Sequence, residues 1–195
     1  QEFPREYFRR YDESNDANFY SMPRKVVHID EWAISVLRRT YRNLLSDGGV
    51  WLDLMSSWRS HLPEDVQPER VVGLGMNAEE MQDNPQLDSL CVHNLNEKSQ
   101  LPYDDKQFDA VLCAVSIQYL TRPITVFEEV NRVLKPGGRL MVLEFSRLTD
   151  GGLQRLYDLY SDNVIPRMGQ MIAGDRDSYQ YLVESIRRFP DQERF

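Results

Sequence analysis

The segment NRVLKPGGRLMVLEFS, residues 131–146, decides the fold class of this chain, because it combines a helix end, a turn and a strand. Val130 and Val133 carry the last apolar positions of a helix pattern. The Pro-Gly-Gly run at 136–138 cannot continue that helix, so the chain has to turn there. Residues 140–145 are nearly all apolar, which is typical of a parallel strand covered on both faces.

Similar strand-like runs lie upstream of this segment, and helical patterns separate most of them. The strands are predicted at residues 50–55, 70–75, 89–93, 109–115 and 139–145. The helices are predicted at residues 31–45, from Asn77 to near Pro85, and at 123–134. Because strands that alternate with helices form right-handed crossovers, the pattern predicts an α/β, Rossmann-like fold with a mainly parallel sheet and helices on both faces.

Composition excludes several classes of function. A net charge of −8 leaves no broad basic surface for a nucleic acid. Cys91 and Cys113 lie in apolar runs, which indicates reduced, buried thiols and a reducing compartment, either the cytoplasm or an organellar matrix or stroma. No apolar run reaches the roughly 20 residues of a membrane span. His28, His61 and His93 are far apart, so we predict no metal site.

The run from Arg132 to Ser146 resembles the second signature of the ubiquinone/menaquinone biosynthesis C-methyltransferases, which use S-adenosylmethionine. Two downstream segments, YDLYSDNVIPRMG at 157–169 and DSYQYLVESIRRFPDQ at 177–192, also look like that family. The resemblance implies a class I methyltransferase fold with about five strands in the order 3-2-1-4-5. It also implies S-adenosylmethionine as the cofactor and a small, quinone-like or apolar molecule as the methyl acceptor.

The length of 195 residues and an apolar content of 41% predict a single methyltransferase-like domain over residues 1–195. Within it we expect an N-terminal helical region at 1–49 and a cofactor-binding core at 50–146. Residues 147–195 then form a segment that covers the substrate.

In this superfamily the first strand ends in a D-x-G-x-G-x-G motif, and only its first residue is kept here. Asp53 is present, whereas Met55, Ser57 and Arg59 replace the three glycines that let the cofactor approach the backbone. A rebuilt cofactor pocket would use Met55, Ser56 and Ser57, and Arg59 would pair with the methionine carboxylate of the cofactor.

The other reading of this region is that Met55 and Trp58 fill the vacated space as core side chains. Pro63 and Pro68 lie in the crossover that follows, so any helix after Trp58 is short.

The second strand normally ends in an acidic residue that accepts the ribose hydroxyls, but Gly75 stands here, followed by Met76 and Asn77. Loss of that acceptor is worth roughly 1.5 to 3 kcal/mol, so we expect Gly75→Asp to tighten binding unless Asn77 already fills the role. After the third strand, Asn94 and Leu95 replace the usual Asp-Ala pair, and the Asn94 oxygen can still accept from the adenine amino group.

At the end of the fourth strand the family places F-G-x-R-N, whose Arg and Asn face the substrate. This chain has Val115, Ser116, Ile117, Gln118 and Tyr119 instead, so the Arg cannot be carried over. We expect Val115 and Ser116 beside the cofactor, and Gln118 and Tyr119 beside the substrate. In the tail, Arg167 and Tyr179 are further substrate-side candidates, and no catalytic residue is identified.

Two functions follow from this reading. The first is methyl transfer from S-adenosylmethionine to a small quinone-like or apolar acceptor, in which the protein supplies proximity and orientation. The second is a methyltransferase-like protein with weakened or lost cofactor binding that serves as an interaction or assembly subunit. The replaced glycines and Gly75 favour the second function, and the strand-five signature favours the first.

The tail patterns are helical or irregular, so we expect none of the further strands that extend the sheet in the family. Strand five is then an edge, and an apolar edge invites association. We expect residues 151–189, a second copy in a homodimer or another protein partner to cover it.

Overall fold

The computed structural model describes residues 8–10, 14–145, 151–164, 167 and 183–184. Contacts divide the chain into two compact units, Ser14–Glu144 and a second unit made of Gln1–Glu13 with Phe145–Phe195. The single domain expected from the chain length stays a prediction.

The described residues of the larger unit form one five-stranded sheet in the order β3-β2-β1-β4-β5, and every pairing is parallel, as predicted. The strands are β1 (Val50–Leu54), β2 (Arg70–Gly75), β3 (Ser89–Val92), β4 (Phe108–Ala114) and β5 (Leu134–Leu143). Parallel pairing brings the carboxyl ends of all five strands to one edge of the sheet, which is where open α/β sheets bind ligands.

The three predicted helices lie close to their expected positions, and the structure adds a short first helix and a 3-10 turn. In the larger unit they are α1 (Asp16–Phe19), α2 (Glu31–Leu44), α3 (Ala78–Gln82), a 3-10 turn (Ile117–Tyr119) and α4 (Pro123–Val133). The predicted cap of α3 is confirmed, since the Asn77 side-chain oxygen accepts the backbone N–H of Glu80 at 3.0 Å. Residues 55–69, all of which are described, contain no helix, so the crossover from β1 to β2 is irregular.

The core between α2 and the sheet explains why these elements hold together. Leu37 and Tyr41 on the apolar stripe of α2 pack in one buried cluster with Trp51, Val71 and Leu112 of the strands. Trp51 is only 1% exposed. Burial of such side chains contributes roughly 1.5 to 3 kcal/mol each, so this cluster fixes the β1, β2 and β4 framework whose ends carry the site.

The expectation that β5 is covered on both faces is wrong. Leu140 and Val142 are 38% and 37% exposed. The physical reason is that alternate residues of a strand point to opposite faces, and only one face of β5 packs against the core cluster, through Met141 and Leu143. Helix α4 ends at Val133, one residue before its predicted end. Strand β5 begins at Leu134 and not at the predicted residue 139, and it contains the Pro-Gly-Gly run, next to an irregularity in its register with β4.

The smaller unit contains α5 (Gly151–Asn163), on which Ser161 is buried and Leu153 and Leu159 are exposed. The predicted cover over the β5 edge therefore stays a prediction. Within the described ranges, no helix combines the length and apolar character that crossing a bilayer requires.

Candidate functional site

The side chain of Asp53, near the end of β1, is hydrogen-bonded to the loop that follows this strand. Its carboxylate is buried and accepts hydrogen bonds from the hydroxyls of Ser56 and Ser60, each at 2.6 Å. Burial raises the pKa of Asp53 to about 6, and the two serine hydrogen bonds oppose that rise. The buried Asp53 carboxylate therefore stabilises the conformation of residues 53–60 through these two hydrogen bonds.

The loop after β1 lies directly against the end of β2. Met55 turns the chain with φ +60°, and the backbone N–H of Ser56 donates to the carbonyl of Leu74 at 2.7 Å. A Cβ on Gly75 would approach the Ser56 carbonyl oxygen well inside the 3.0 Å that real Cβ atoms keep. The expectation that Gly75→Asp restores a ribose acceptor is therefore wrong in this conformation, because the Ser56 backbone fills the place where that side chain would begin.

Glu80 connects this loop to the N-terminal segment. It is 6% exposed, and its carboxylate accepts the hydroxyl of Ser57 at 2.7 Å and the backbone N–H of Arg24 at 2.6 Å. The sequence indicated Glu80 only as the partner of the Asn77 cap. The sequence signal that could have predicted its contacts with Ser57 and Arg24 is the presence of an acidic residue shortly after the end of β2.

The two asparagines expected at the cofactor are also hydrogen-bonded within the chain. Asn77 caps α3 with its oxygen and donates from its nitrogen to the carbonyl of Tyr20 at 2.9 Å. The Asn94 oxygen accepts the backbone N–H groups of Asn96 at 3.0 Å and Glu97 at 3.4 Å. Both asparagines thus stabilise turns at the strand ends.

The remaining residues around the glycine-motif position differ in how deeply they are buried. Met55, Met76 and Trp58 are half-buried, whereas Leu95 is buried. The indole N–H of Trp58 donates to the Val26 carbonyl at 3.0 Å. Arg59 lies over the Trp58 ring and donates to the carbonyls of Trp58 and Asp83.

These contacts do not fit S-adenosylmethionine at the ends of β1 and β2 in the described conformation. The Ser56 carbonyl stands beside Gly75, where the family has its ribose acceptor. The hydroxyls of Ser56 and Ser57 are directed to Asp53 and Glu80. A ligand would have to displace this loop before it reached the strand ends.

The end of β4 is strained. Val115 has φ +56°, a left-handed conformation that is an outlier for a β-branched residue, and its N–H donates to the Leu143 carbonyl at 2.7 Å. Ser116 contacts the buried Cys113 thiol at 3.4 Å. Strain of this kind clusters at functional sites and favours a role for the turn that follows.

Gln118 lies in that turn, and the hydrogen bonding of its side chain differs from that of Asn77 and Asn94. Its side chain is buried, at 6% exposure, and neither its carboxamide nitrogen nor its oxygen has a hydrogen-bond partner among the residues that the structure describes. Its backbone N–H faces the Glu144 carboxylate at 3.4 Å. The neighbouring carbonyl of Tyr119 accepts the side-chain nitrogen of Asn96 at 3.0 Å.

The candidates from the tail are not tested by this geometry. Arg167 is exposed, and Tyr179 lies outside the described residues. Among the described residues, no group of three or more His, Cys, Asp and Glu side chains is arranged to hold a metal ion.

A protein-family model, the ubiE/COQ5 methyltransferase family, matches residues 73–195 of this chain. The match begins inside β2 and includes the carboxyl ends of β2, β3, β4 and β5. It therefore covers most of the candidate site but not the loop after β1.

Curated relatives match over a similar share of the chain. The ubiquinone/menaquinone biosynthesis C-methyltransferase UbiE of Ruegeria sp. (strain TM1040) is 68% identical over 95 residues, which are 49% of this chain and 38% of the relative. The rat 2-methoxy-6-polyprenyl-1,4-benzoquinol methylase, mitochondrial, is 54% identical over 101 residues, which are 52% of this chain and 31% of the relative. The chain thus matches only about a third of the length of these relatives.

Solved structures share the fold. The [4+2]-cyclase SpnF has a TM-score of 0.55 at 16% identity and covers 83% of this chain and 78% of its own. A SAM-dependent methyltransferase from Thermotoga maritima has a TM-score of 0.54 at 17% identity and covers 83% of this chain and 66% of its own. At these identities the likeness shows the methyltransferase-type Rossmann-like fold alone.

Proposed function

Because the chain belongs to the ubiE/COQ5 methyltransferase family, we propose that it takes part in methyl transfer from S-adenosylmethionine to a small, quinone-like or apolar acceptor. The observation that carries this proposal is the family match over residues 73–195, since it includes four of the five strand ends at which ligands of this fold bind. The names of the relatives, which include a benzoquinol methylase, support the acceptor class.

The cofactor in this proposal lies across the ends of β1, β2 and β3, after residues 55–60 have moved away from Gly75. The residues that we place around it are Asp53, Met55, Ser56, Ser57, Gly75, Met76, Asn77, Asn94, Leu95, Val115 and Ser116. The movement breaks the bond from Ser56 to Leu74 and the bond from Ser57 to Glu80.

The cost of that movement sets the expected affinity. One neutral hydrogen bond and one bond to a charged group together cost roughly 2 to 4 kcal/mol. Relative to a site whose loop is already open, an opening of that cost weakens the apparent affinity by roughly thirty- to thousandfold. We therefore expect dissociation constants of roughly ten to several hundred micromolar for S-adenosylmethionine.

A second candidate function is favoured by one observation, the contact between Ser56 and Gly75 that closes the cofactor position. On this alternative the chain keeps the fold but has lost the cofactor, and it serves as an interaction or assembly subunit. Both functions are compatible with a reducing compartment, the cytoplasm or an organellar matrix or stroma, because Cys91 and Cys113 are free thiols.

Calorimetric titration of S-adenosylmethionine and S-adenosylhomocysteine separates the two candidates. Ser57→Gly is the informative variant, because it removes the hydroxyl that holds the loop to Glu80. We expect it to tighten binding by roughly tenfold, since the loop opens at lower cost. Ser35→Ala, at an exposed serine of α2, is the matched control and leaves binding unchanged. If neither the wild type nor Ser57→Gly binds at millimolar ligand, the assembly function replaces the enzymatic one.

A further inference from the structure

We infer that residues 15–26, called the strap below, and residues 55–60 of the loop after β1 open together and control access to the carboxyl ends of β1 and β2. The inference rests on the proposed function, because it adds a means of regulation at the position where that function places its ligand. A ligand then reaches these strand ends only after the strap has been released and the loop has moved.

The first observation is the attachment of the strap to the turn after β3. The side-chain nitrogen of Asn15 donates to the Glu97 carboxylate at 3.1 Å. The carboxylate of Asp16, which is buried, accepts the side-chain nitrogen of Asn96 at 2.9 Å. These bonds fix the beginning of the strap through residues that belong neither to the loop nor to α3.

The second observation is the path of the strap along α3, the helix that follows β2. The Tyr20 carbonyl accepts the side-chain nitrogen of Asn77 at 2.9 Å. The Arg24 backbone N–H donates to the Glu80 carboxylate at 2.6 Å. Both bonds lie at the amino-terminal end of α3, which begins directly after β2. The strap therefore continues from the end of β3 to the end of β2.

The third observation is that the strap and the loop are bonded to each other and to a common acceptor. The indole N–H of Trp58 in the loop donates to the Val26 carbonyl of the strap at 3.0 Å. The Glu80 carboxylate that accepts the Arg24 backbone N–H also accepts the hydroxyl of Ser57, at 2.7 Å. Hydrogen bonds to a charged acceptor are roughly twice as strong as neutral ones, so this shared carboxylate couples the two segments.

The strap has the properties of a segment that opens locally. All of its residues are described, and its one helix, α1, has four residues, while no residue of the strap pairs in the sheet. Phe19, Met22 and Val26 are exposed, so the strap buries little apolar surface. Helices this short have no stability of their own, and segments with few buried apolar contacts open first. Loss of one hydrogen bond of the strap therefore lowers the cost of opening.

Native-state hydrogen exchange of the Ser56 amide tests the inference, because this amide donates to the Leu74 carbonyl while the loop is closed. Asp16→Ala removes the bond to Asn96 at the other end of the strap. We expect the Ser56 amide to exchange roughly two- to tenfold faster in this variant, because strap and loop open together. The Leu112 amide, in the core of the sheet, should exchange at its wild-type rate.

Asp104→Ala, at an exposed aspartate before β4, is the matched control and should leave both exchange rates unchanged. A second variant, Trp58→Phe, removes the indole donor to the strap and keeps an aromatic ring. It should accelerate exchange of the Ser56 and Arg24 amides by the same factor, because one opening exposes both. Trp32→Phe, at an exposed tryptophan of α2, is its control and should change neither rate.

Unchanged exchange of the Ser56 amide in Asp16→Ala would overturn the inference, since the loop would then open without the strap. Equal acceleration of the Ser56 and Leu112 amides would also overturn it, because Asp16 would then act on global stability alone. If Asp16→Ala does not fold, the same two outcomes are read from Trp58→Phe.

Calorimetric titration of S-adenosylmethionine separates the inference from the proposed function. If both hold, Asp16→Ala binds the cofactor more tightly by the factor by which it accelerates exchange of the Ser56 amide. Binding of equal strength by the wild type and Asp16→Ala would overturn the inference and leave the proposed function standing. If neither protein binds at millimolar ligand while the Ser56 amide exchanges faster in the variant, the inference holds and the proposed function fails.

Discussion

The carbonyl oxygen of Ser56 lies against the α-carbon of Gly75, at the place where a side chain on residue 75 would begin. The end of β2 therefore lacks an acidic acceptor for two reasons. The residue is a glycine, and the loop after β1 has taken the space. The glycine at residue 75 and the position of the loop depend on each other, because any side chain at residue 75 would force the loop outward.

The first prediction is that Gly75→Ala destabilises the protein strongly. The added Cβ meets a backbone oxygen that cannot rotate away, so we expect a loss of about 3 kcal/mol or more in the free energy of unfolding. Gly48→Ala is the control, since a Cβ there meets nothing within 4 Å and is opposed only by the left-handed φ of +76°. Urea unfolding of both variants should give a distinctly larger loss for Gly75→Ala. Equal losses would show that the loop is not packed on β2.

The second prediction concerns the bond between Ser57 and Glu80. A double-mutant cycle with Ser57→Ala and Glu80→Ala should give a coupling energy of about 1.5 to 3 kcal/mol, because the hydroxyl donates to a buried carboxylate and each substitution removes one of the two partners. The Arg24 backbone N–H remains bonded in Ser57→Ala and supplies the internal reference. Additive losses would mean that the loop and α3 are independent.

The sheet was predictable from the sequence because its signals are local. Each strand is an apolar run with a turn signal beside it, and β2 was placed without error at Arg70–Gly75. The cap of α3 was equally local, since Asn77 and Glu80 are three residues apart. Order 3-2-1-4-5 then followed from the family resemblance and is confirmed by the strand pairings.

The candidate site was predictable only as a position. Glu80 was missed because one of its donors, Arg24, is 56 residues away in the sequence and bonds through the backbone. Such a contact leaves no pattern in the side chains. A filled cofactor position was one of the two readings of the sequence, but it was assigned to the side chains of Met55 and Trp58. The Ser56 backbone that lies there was missed, since an irregular crossover has no periodicity from which its path can be read. Gln118 lies in the turn that follows β4, and its role beside the substrate stays a prediction. The burial of its amide without a hydrogen-bond partner among the described residues is visible only in the packed structure.

The third prediction separates structure from function in the Arg132–Ser146 signature. Arg132 donates to the carboxylates of Glu129 and Asp105 and to the carbonyls of Leu101 and Tyr103. A lysine cannot reproduce this planar fork, so Arg132→Lys should lower the free energy of unfolding by about 1 to 3 kcal/mol. Arg139→Lys, at an exposed position of β5, serves as the control and should cost little. Chemical denaturation of both variants measures the difference. A tolerated Arg132→Lys would remove the structural explanation of the signature.

The fourth prediction is a pH dependence of stability that arises from Asp53. Burial raises its pKa from 3.8 to about 6 in the folded protein, so the folded state binds this proton more tightly than the unfolded state. The sign follows from linkage: stability from this group is greatest below pH 3.8 and falls as the pH rises through 6. A shift of about two pKa units corresponds to about 3 kcal/mol. Asp53→Asn abolishes this titration, so the stability of the variant relative to the wild type should rise by about that amount between pH 4 and pH 7. Urea unfolding of both proteins at four pH values in this range measures the difference, from which all shared titrations cancel. A difference that does not change with pH would show that Asp53 is already ionised at pH 4 in the folded protein, and that Ser56 and Ser60 hold a carboxylate throughout.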